Sequence, residues 1–371
     1  MLSIRHGIVS RERIEQVTAV DRPFAAWAVL AHKDDTGFGR QASDVRDVLG
    51  FGSHLVIPSE RLVDHPVDGI SEHWLPANAS TEHLRSLLTG LDGILFFERH
   101  SWHPRILRTA REMGVVTVCV PNWEWFNGDA LEWQDCDLFV CPWRFTEKIV
   151  RSYGFTNTCS LPWPIDLAKL PQRIIHGPAR HFIHNAGIVD VDDRKGTRDT
   201  ILAFNRINRP DIRLTVRIQK EVELPPTDER VEVIVGNIAD VANLYTTGDI
   251  CVQPSKMEGN GFMVLEPACA GLPVITTDYP PMNEFIQQSE LRCLPRWRKR
   301  RAYATQWIRQ AHLKLPSIPD LTRRMQWAAN HDLTTISYQN RQWAESMFDR
   351  QSLMASWQRA LLSIPVNKLN R

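Results

Sequence analysis

The segment from Asp249 to Pro267 places a strand-like run, a glycine turn and the start of a helix in immediate succession. The turn is Gly259-Asn260-Gly261, and an apolar run begins at Phe262. A strand that enters a helix through a glycine turn is typical of a parallel sheet with crossover helices. Glycine backbone approaches a ligand closely, and the N-terminus of a helix favours an anion. The segment therefore predicts an α/β fold with an anion-binding loop at one strand end.

Two glutamates bracket this turn. Glu258 lies on the loop, and Glu266 falls about one helical turn inside, where a carboxylate accepts hydrogen bonds from a vicinal diol. This pattern resembles the E-x7-E signature of retaining glycosyltransferases of the GT-B fold, in particular family 4, the glycosyl transferases group 1. The similarity continues through Cys269-Ala-Gly-Leu-Pro-Val-Ile-Thr-Thr-Asp278. The resemblance implies an α/β protein with two Rossmann-like domains that face each other across a cleft, and a C-terminal helix that crosses back to the first domain.

Length and composition agree with such an architecture. A chain of 371 residues suits two domains, and 43% hydrophobic with 23% charged residues is typical of a globular protein. The net charge of +1 argues against a general polyanion binder. No apolar run approaches the roughly 18 residues that a membrane span requires. The first residues lack the pattern of a signal peptide, so we expect a cytoplasmic protein.

The seven cysteines are odd in number and scattered singly, with no Cys-x-x-Cys pair. Most stand in apolar, strand-like runs, which indicates small buried side chains rather than a disulfide or zinc framework. No Asp-x-Asp motif occurs in a suitable loop. We therefore expect no metal site and no permanently bound cofactor, and a nucleoside-diphosphate sugar, UDP- or GDP-linked, as co-substrate.

Strand-like and helix-like segments alternate along the chain and break at Leu161-Pro-Trp-Pro-Ile-Asp166, where two prolines exclude helix and central strand. With the resemblance, this break predicts three parts. Residues 1–170 form the acceptor domain and residues 171–340 form the donor domain. Residues 341–371 hold the crossing helix, which is expected within Gln342 to Leu362.

Two further segments are expected to lie beside the diphosphate of the sugar donor, which is the leaving group of the reaction. The first segment, His32 to Arg40, follows the first strand. Its glycines, Gly37 and Gly39, would allow the backbone to approach a phosphate closely, and Arg40 would form an ion pair with that phosphate. Asn185 to Gly196 resembles the family's stretch in which a lysine neutralises the departing diphosphate. Lys195 matches that lysine. Ile188 stands where the family carries an arginine, so Arg194 or Arg217 would replace that residue.

The resemblance assigns roles to the other candidates. Glu266 would hold the ribose diol. Glu258 and the backbone of the turn would hold the donor sugar and orient its anomeric carbon, and Lys195 with Arg194 or Arg40 would stabilise the diphosphate. The turn residues meant here are Gly259, Asn260, Gly261 and Phe262.

The family's first-domain histidine has no counterpart after the Val118-Cys-Val run. Asn122 or Glu124 would occupy its place, and His100 ends the preceding strand. Strand ends in such sheets open onto the cleft. Glu124 is therefore expected either to bind or activate the acceptor or to make a buried structural hydrogen bond.

The region from Leu291 to Pro319 contains no acidic residue, and Trp297 and Trp307 are interleaved with its basic residues. It is a solvated face, or it binds a polyanion such as nucleic acid or an anionic membrane. The basic side chains through which we expect nucleic acid to bind are Arg296, Arg298, Lys299, Arg300 and Arg301.

Several functions stay open at this point. The acceptor is a small molecule in an aromatic pocket around Trp102, Trp123 and Trp125, or a hydroxymethylated pyrimidine of DNA, as in viral enzymes. Two functions without glycosyl transfer are also open: a non-catalytic sugar-nucleotide or nucleic-acid binding protein, and a nucleotide-sugar epimerase of the same fold. We expect a monomer or a homodimer.

Overall fold

The computed structural model describes residues 23–33, 37–58, 70–97, 103–238, 240–301 and 311–364, with residues 37, 38, 40 and 299–301 described by their backbone. Two parallel sheets organise this part of the chain. We call the unit around each sheet the first and the second domain. Their limits at residues 170 and 171 stay a prediction.

The first domain contains a seven-stranded parallel sheet in the order β3-β2-β1-β4-β5-β6-β7. The strands are β1 Trp27–His32, β2 Ser53–Ile57, β3 Ser71–Trp74, β4 Gly93–Phe97, β5 Val116–Val120, β6 Leu138–Cys141 and β7 Thr158–Ser160. The helices are α1 Gly37–Leu49, α2 Thr81–Leu88, α3 Ile106–Glu112 and α4 Arg144–Ser152. The strand order reverses between β1 and β4.

The second domain repeats this winding in a six-stranded sheet, in the order β10-β9-β8-β11-β12-β13. Its strands are β8 His181–Gly187, β9 Arg213–Ile218, β10 Val231–Val235, β11 Ile250–Gln253, β12 Val274–Thr277 and β13 Arg292–Cys293. Its helices are α5 Thr197–Phe204, α6 Phe262–Cys269, α7 Met282–Phe285 and α8 Ile318–Asn330. In open sheets of this kind ligands bind outside the carboxyl ends of the strands, where the order reverses.

The central strands are buried along their whole length because helices cover both faces of each sheet. All residues of β4, β5, β11 and β12 are buried. This explains why these strands read as continuous apolar runs rather than as alternating ones. The two Rossmann-like domains predicted from the sequence are confirmed.

The C-terminal region crosses back to the first domain, although not as one helix. Helix α9 spans Thr334–Met347, and α10 spans Arg350–Leu362. The side chain of Asp349 accepts a hydrogen bond from the backbone N–H of Ser352 and so starts a second helix. Trp357 of α10 donates its indole N–H to the backbone oxygen of Pro162, at 3.2 Å. The single helix expected from Gln342 to Leu362 is therefore corrected to the end of α9 followed by α10.

Three further elements differ from the sequence prediction. Helix α1 begins at Gly37, so Gly37, Gly39 and Arg40 belong to its first turn rather than to a preceding loop. The alternation of strands and helices in the sequence predicts a helix from Ile238 to Tyr245, where the structure has only a 3-10 turn, Val241–Leu244. The basic region contains an antiparallel ribbon, β14 Pro295–Arg301 and β15 His312–Pro316, which the sequence did not predict.

Among the described residues, no helix combines the length and the apolar character that crossing a membrane requires.

Candidate active site

The carboxyl ends of β8 and β11 bring two loops of the second domain together. Asp193, in the loop after β8, accepts hydrogen bonds from the backbone N–H groups of Thr197 and Arg198 and so caps α5. Lys256, in the loop after β11, donates to the Asp193 carboxylate at 3.2 Å. Its backbone N–H also bonds to the carbonyl of Arg194 at 2.8 Å. These bonds join the two loops and so fix the position of Lys195 next to the loop that carries Glu258.

Lys195 and Glu258 form a buried ion pair at this junction. The ammonium group of Lys195 lies 2.7 Å from both carboxylate oxygens of Glu258, and the Ser255 hydroxyl donates to one of them at 2.5 Å. Burial alone would raise the pKa of Glu258, but the charges of Lys195 and Arg194 outweigh it and hold that pKa below its ordinary value. Glu258 is therefore an ionised, fully paired carboxylate.

The glycines of the turn allow two close approaches. A Cβ built on Gly261 would lie 2.2 Å from the ring of Phe285, and the φ of Gly261 is +73°, where side chains are strained. A Cβ built on Gly259 would lie 2.4 Å from a carboxylate oxygen of Glu124. Because Gly259 has no side chain, Glu124 of the first domain can lie directly against this turn.

Glu124 follows β5 and is 4% exposed. Burial raises its pKa to about 7, although the charges of Arg194 and Lys195 act in the opposite direction. One of its carboxylate oxygens has no hydrogen-bond partner among the described residues, and the same holds for the amide oxygen of Asn122. Both amide atoms of Asn260, across the cleft, are also buried without a described partner. Buried polar atoms in proteins are normally paired, so this group indicates a place for a ligand.

Glu266 lies one turn inside α6, as the spacing predicts. It is buried, and the phenol of Tyr245 donates to its carboxylate at 2.8 Å. This hydrogen bond holds the carboxylate of Glu266 in place between α6 and the 3-10 turn of the second domain.

Three contacts hold the two domains against each other beside this site. The indole N–H of Trp123 donates to the backbone oxygen of Glu258 at 2.6 Å. The carboxylate of Glu284 accepts from the backbone N–H groups of Arg144 and Phe145 at 3.0 and 2.9 Å, which caps the N-terminus of α4 from the other domain. The ring centres of Trp143 and Phe285 lie 4.2 Å apart. The domains thus meet directly around the Glu258 turn.

A separate cavity of about 630 Å³ lies between the domains. It is lined by Ser43, Asp44, Ala168, Lys169, Leu170, Pro171, Asp240, Val241 and Ala242. None of these residues belongs to the cluster around Glu258. The size of the cavity is in the range of small-molecule sites.

The part of the chain that the structure describes contains no group of three or more His, Cys, Asp or Glu side chains arranged to hold a metal ion.

Solved structures with this two-domain arrangement were found at low sequence identity. A sucrose-phosphate synthase from Thermosynechococcus elongatus is 12% identical, covers 90% of this chain and 97% of its own, and has a TM-score of 0.62. A glycosyltransferase from Rickettsia africae is 10% identical, with coverage of 91% and 99% and a TM-score of 0.65. A variant of S. aureus TarM, in complex with fondaparinux, alpha-GlcNAc-glycerol and UDP, is 13% identical, with coverage of 76% and 59% and a TM-score of 0.53. At these identities the similarity is one of fold.

A comparison with models of protein families gives a match at the level of sequence. Residues 182–310 match the model of Glycosyl transferases group 1. The chain is a glycosyltransferase with the GT-B fold, and the matched part of its second domain is similar to this group. The matched residues include both glutamates of the E-x7-E pair, Lys195 and the turn between them. No curated protein matches the chain by sequence.

The glycosyltransferase brings most of its predicted site residues together. Lys195, Glu258 and Glu124 meet at the turn, and Arg194 is close enough for its charge to act on both carboxylates. Arg217 is held elsewhere by Asn185 and Thr247. No described contact joins Arg217 to the Lys195–Glu258 pair, and which of Arg194 and Arg217 replaces the family's arginine at the position of Ile188 stays a prediction.

The remaining predicted residues do not join this cluster by any described contact. The backbone of Gly37, Gly39 and Arg40 forms the first turn of α1. His100 and Trp102 lie outside the described residues. Trp123 is buried between the domains instead of lining an open aromatic pocket.

The sequence prediction missed three residues that shape the site, Ser255, Lys256 and Glu284, and gave Trp123 a different role, as the wall of an acceptor pocket. Ser255 and Lys256 stand between β11 and the first glutamate, so their position at a strand end was the available signal. Trp123 and Glu284 act across the domain junction, which no local pattern shows.

Proposed function

We propose that the enzyme is a retaining glycosyltransferase that moves a sugar from a nucleoside-diphosphate sugar to an acceptor hydroxyl without a metal ion. The observation that carries this proposal is the convergence of the Lys195–Glu258 pair and the Gly259–Phe262 turn at the N-terminus of α6. Positive charge and backbone N–H groups are thereby collected at one strand end. An anionic leaving group is stabilised by such an arrangement as it develops charge.

The donor would lie on the second domain. Glu266, fixed by Tyr245, would accept from the ribose hydroxyls, and Glu258 would accept from hydroxyls of the donor sugar. The UDP in the complex of S. aureus TarM supports a nucleoside diphosphate for this fold. We propose a UDP- or GDP-linked sugar as the co-substrate.

Lys195 would meet the diphosphate. Burial lowers the pKa of Lys195, and Glu258 opposes that shift, so the ammonium group depends on a nearby anion to stay charged. A diphosphate beside Lys195 would add negative charge to that of Glu258 and strengthen the ammonium form. With Arg194, these cations supply the charge that a metal ion supplies in other transferases.

The reaction balances without a further reactant. The acceptor oxygen forms the new bond to the anomeric carbon, and the bond from that carbon to the diphosphate oxygen breaks. The diphosphate leaves with the electron pair, and the acceptor loses its hydroxyl proton. Glu124, whose pKa is raised to about 7 by burial, would hold that proton on the first-domain side.

Slow donor hydrolysis tests the proposal without knowledge of the acceptor, because water then takes the place of the acceptor hydroxyl. Proton NMR at early times identifies the anomer that is released first from an α-linked UDP-sugar. We expect the α-anomer, at a rate that EDTA does not change and that Lys195→Ala strongly lowers. First release of the β-anomer would contradict retention, and loss of activity in EDTA would contradict metal independence.

A further inference from the structure

The basic ribbon β14–β15 lies over the mouth of the proposed site and touches both domains. The backbone N–H of Lys314 in β15 donates to the carbonyl of Lys256 at 2.8 Å, and Lys256 stands two residues before Glu258. Leu313 is buried in a small cluster with Met257 and Trp123. Phe145 and Ile149 of α4 pack against the same cluster from the first domain. Anything bound along this ribbon is therefore held beside the cleft.

Four exposed cations on the ribbon and on the neighbouring helix α4 have no acidic partner among the described residues, unlike Lys195 in the site. Arg296 and Arg298 of β14 are exposed, and no ion pair is found for either among the described residues. Arg144 and Lys148, also exposed, stand on α4 next to the two side chains that contact the ribbon. By contrast, Lys195 has a buried carboxylate within 2.7 Å. Exposed cations without a described ion pair thus lie on both sides of the domain junction.

An exposed aromatic side chain, Trp297, lies among these cations. Trp297 is 85% exposed, and the guanidinium carbon of Arg298 lies 5.8 Å from the centre of its ring. A tryptophan left in water together with a stacked cation is the combination on which the bases of single-stranded nucleic acids stack. Docking on a membrane would call for a broader apolar patch than Trp297 and Leu294, the exposed large hydrophobic residues that the structure describes in β14 and directly before it.

We propose that the ribbon and α4 form a docking surface for a strand of nucleic acid, which is the acceptor. The surface consists of Arg296, Trp297, Arg298, Lys314, Arg144 and Lys148. Phosphates would lie along the cations, and a base would stack on Trp297. A hydroxyl of that strand would enter the cleft at Glu124 and take the sugar as described above. The acceptor assignment rests on the proposed glycosyl transfer, whereas strand binding itself is measured separately.

The test is fluorescence anisotropy of a labelled single-stranded DNA 20-mer with the full chain, over a series of salt concentrations. Arg296→Ala/Arg298→Ala is compared with Arg206→Ala/Lys220→Ala, a matched loss of two exposed cations elsewhere on the second domain. For single strands each lost phosphate contact lowers the salt slope by about 0.7, so the ribbon variant should lose about 1.4. Trp297→Ala should weaken binding about tenfold through lost stacking. The matched control should change neither quantity.

Equal binding by the wild type and the ribbon variant would overturn the proposal. So would binding of phosphatidylserine vesicles through Arg296 and Arg298 with no affinity for the oligonucleotide. Calorimetric titration of the wild type with a UDP-sugar distinguishes a failure of the docking surface from a failure of the proposed glycosyl transfer. If the donor binds and the strand does not, the docking surface alone is wrong; if the strand binds and no donor does, the glycosyl transfer is wrong.

Discussion

The two faces of the cleft differ in how their polar groups are satisfied. On the second domain, Glu258 is paired with Lys195 and Ser255, and Glu266 accepts from Tyr245. On the first domain, one oxygen of Glu124 and the amide oxygen of Asn122 are buried with no partner among the described residues. The two glutamates of the donor face are thus held by protein partners, whereas the amide of Asn260 in the turn between them has no described partner. On the opposite face, Glu124 and Asn122 each keep one buried polar atom that is available to pair with a ligand.

The largest expected effect comes from removing the cation of the donor face. Lys195→Ala leaves the Glu258 carboxylate buried without its partner, which should cost about 3–5 kcal/mol of unfolding free energy. Turnover should fall about 10²–10³-fold because the leaving group loses a stabilising charge. Denaturant unfolding and donor turnover measure the two effects.

A double-mutant cycle and an exposed ion pair provide the controls. Adding Glu258→Ala should recover part of the stability lost in Lys195→Ala, because the orphaned charge is gone. Arg85→Ala, which breaks an ion pair with Glu112 that is about half exposed, should cost about 1 kcal/mol at most. Additive losses at Lys195 and Glu258 would show that the pair is not coupled.

The next effect concerns the carboxylate of the opposite face. The folded-state pKa of Glu124 is raised from 4.5 to about 7, so between these values the folded chain binds more protons than the unfolded chain. Unfolding free energy is therefore lost as the pH rises through this window. Glu124→Gln carries no such penalty, and its advantage over the wild type should grow by about 2–3 kcal/mol from pH 5 to pH 8.

Thermal or denaturant unfolding at the two pH values measures that difference. An advantage of Glu124→Gln that is equal at pH 5 and pH 8 would contradict the raised pKa. Turnover of the same variant sharpens the comparison. If Glu124 holds the acceptor proton, transfer should fall while the affinity for the donor stays constant.

The close approach of the two faces gives a third prediction. Gly259→Ala places a methyl group against the Glu124 carboxylate, at a position whose backbone conformation alanine adopts easily. Overpacking of this kind costs about 1–3 kcal/mol. Glu124→Ala in the same chain should relieve most of that cost, which a thermal unfolding series of the two single variants and the double variant will measure. Equal losses with and without Glu124 would mean that the faces do not touch.

The smallest effect is expected at the contact that caps α4 from the second domain. Glu284→Ala removes the acceptor for the N–H groups of Arg144 and Phe145 and should cost about 1 kcal/mol, as the loss of a helix cap does. Glu290→Ala, an exposed glutamate nearby in sequence, should change the unfolding free energy less. A cost at Glu290 as large as that at Glu284 would exclude a specific role of the cap.

The sequence predicts most of the fold because its signals are local. Apolar runs with turn residues between them mark the buried strands, and the Gly259-Asn260-Gly261 turn marks the start of α6. The basic ribbon escaped prediction because arginines and lysines follow one another there and the register between β14 and β15 is irregular, so no alternation of period two appears. The break between α9 and α10 depends on one cap at Asp349, which an apolar pattern does not reveal.

The sequence predicted many of the residues that belong to the site, but it did not predict which of them contact each other. Lys195 and Glu258 are 63 positions apart, and only the sheet topology brings their loops together. The approach of Glu124 to Gly259 depends on how the domains close, which no local pattern encodes. The two unpartnered asparagines, Asn122 and Asn260, became informative only when their burial was known.

The most direct test of the central claim is calorimetric binding of UDP-, GDP-, ADP- and dTDP-sugars to the wild type, to Glu266→Ala and to Glu290→Ala. We predict that one donor binds the wild type and the Glu290→Ala control alike, and that Glu266→Ala loses that binding because the ribose hydroxyls lose their acceptor. Absence of binding for every donor, or equal binding by Glu266→Ala, would contradict a nucleotide-sugar site at the E-x7-E turn.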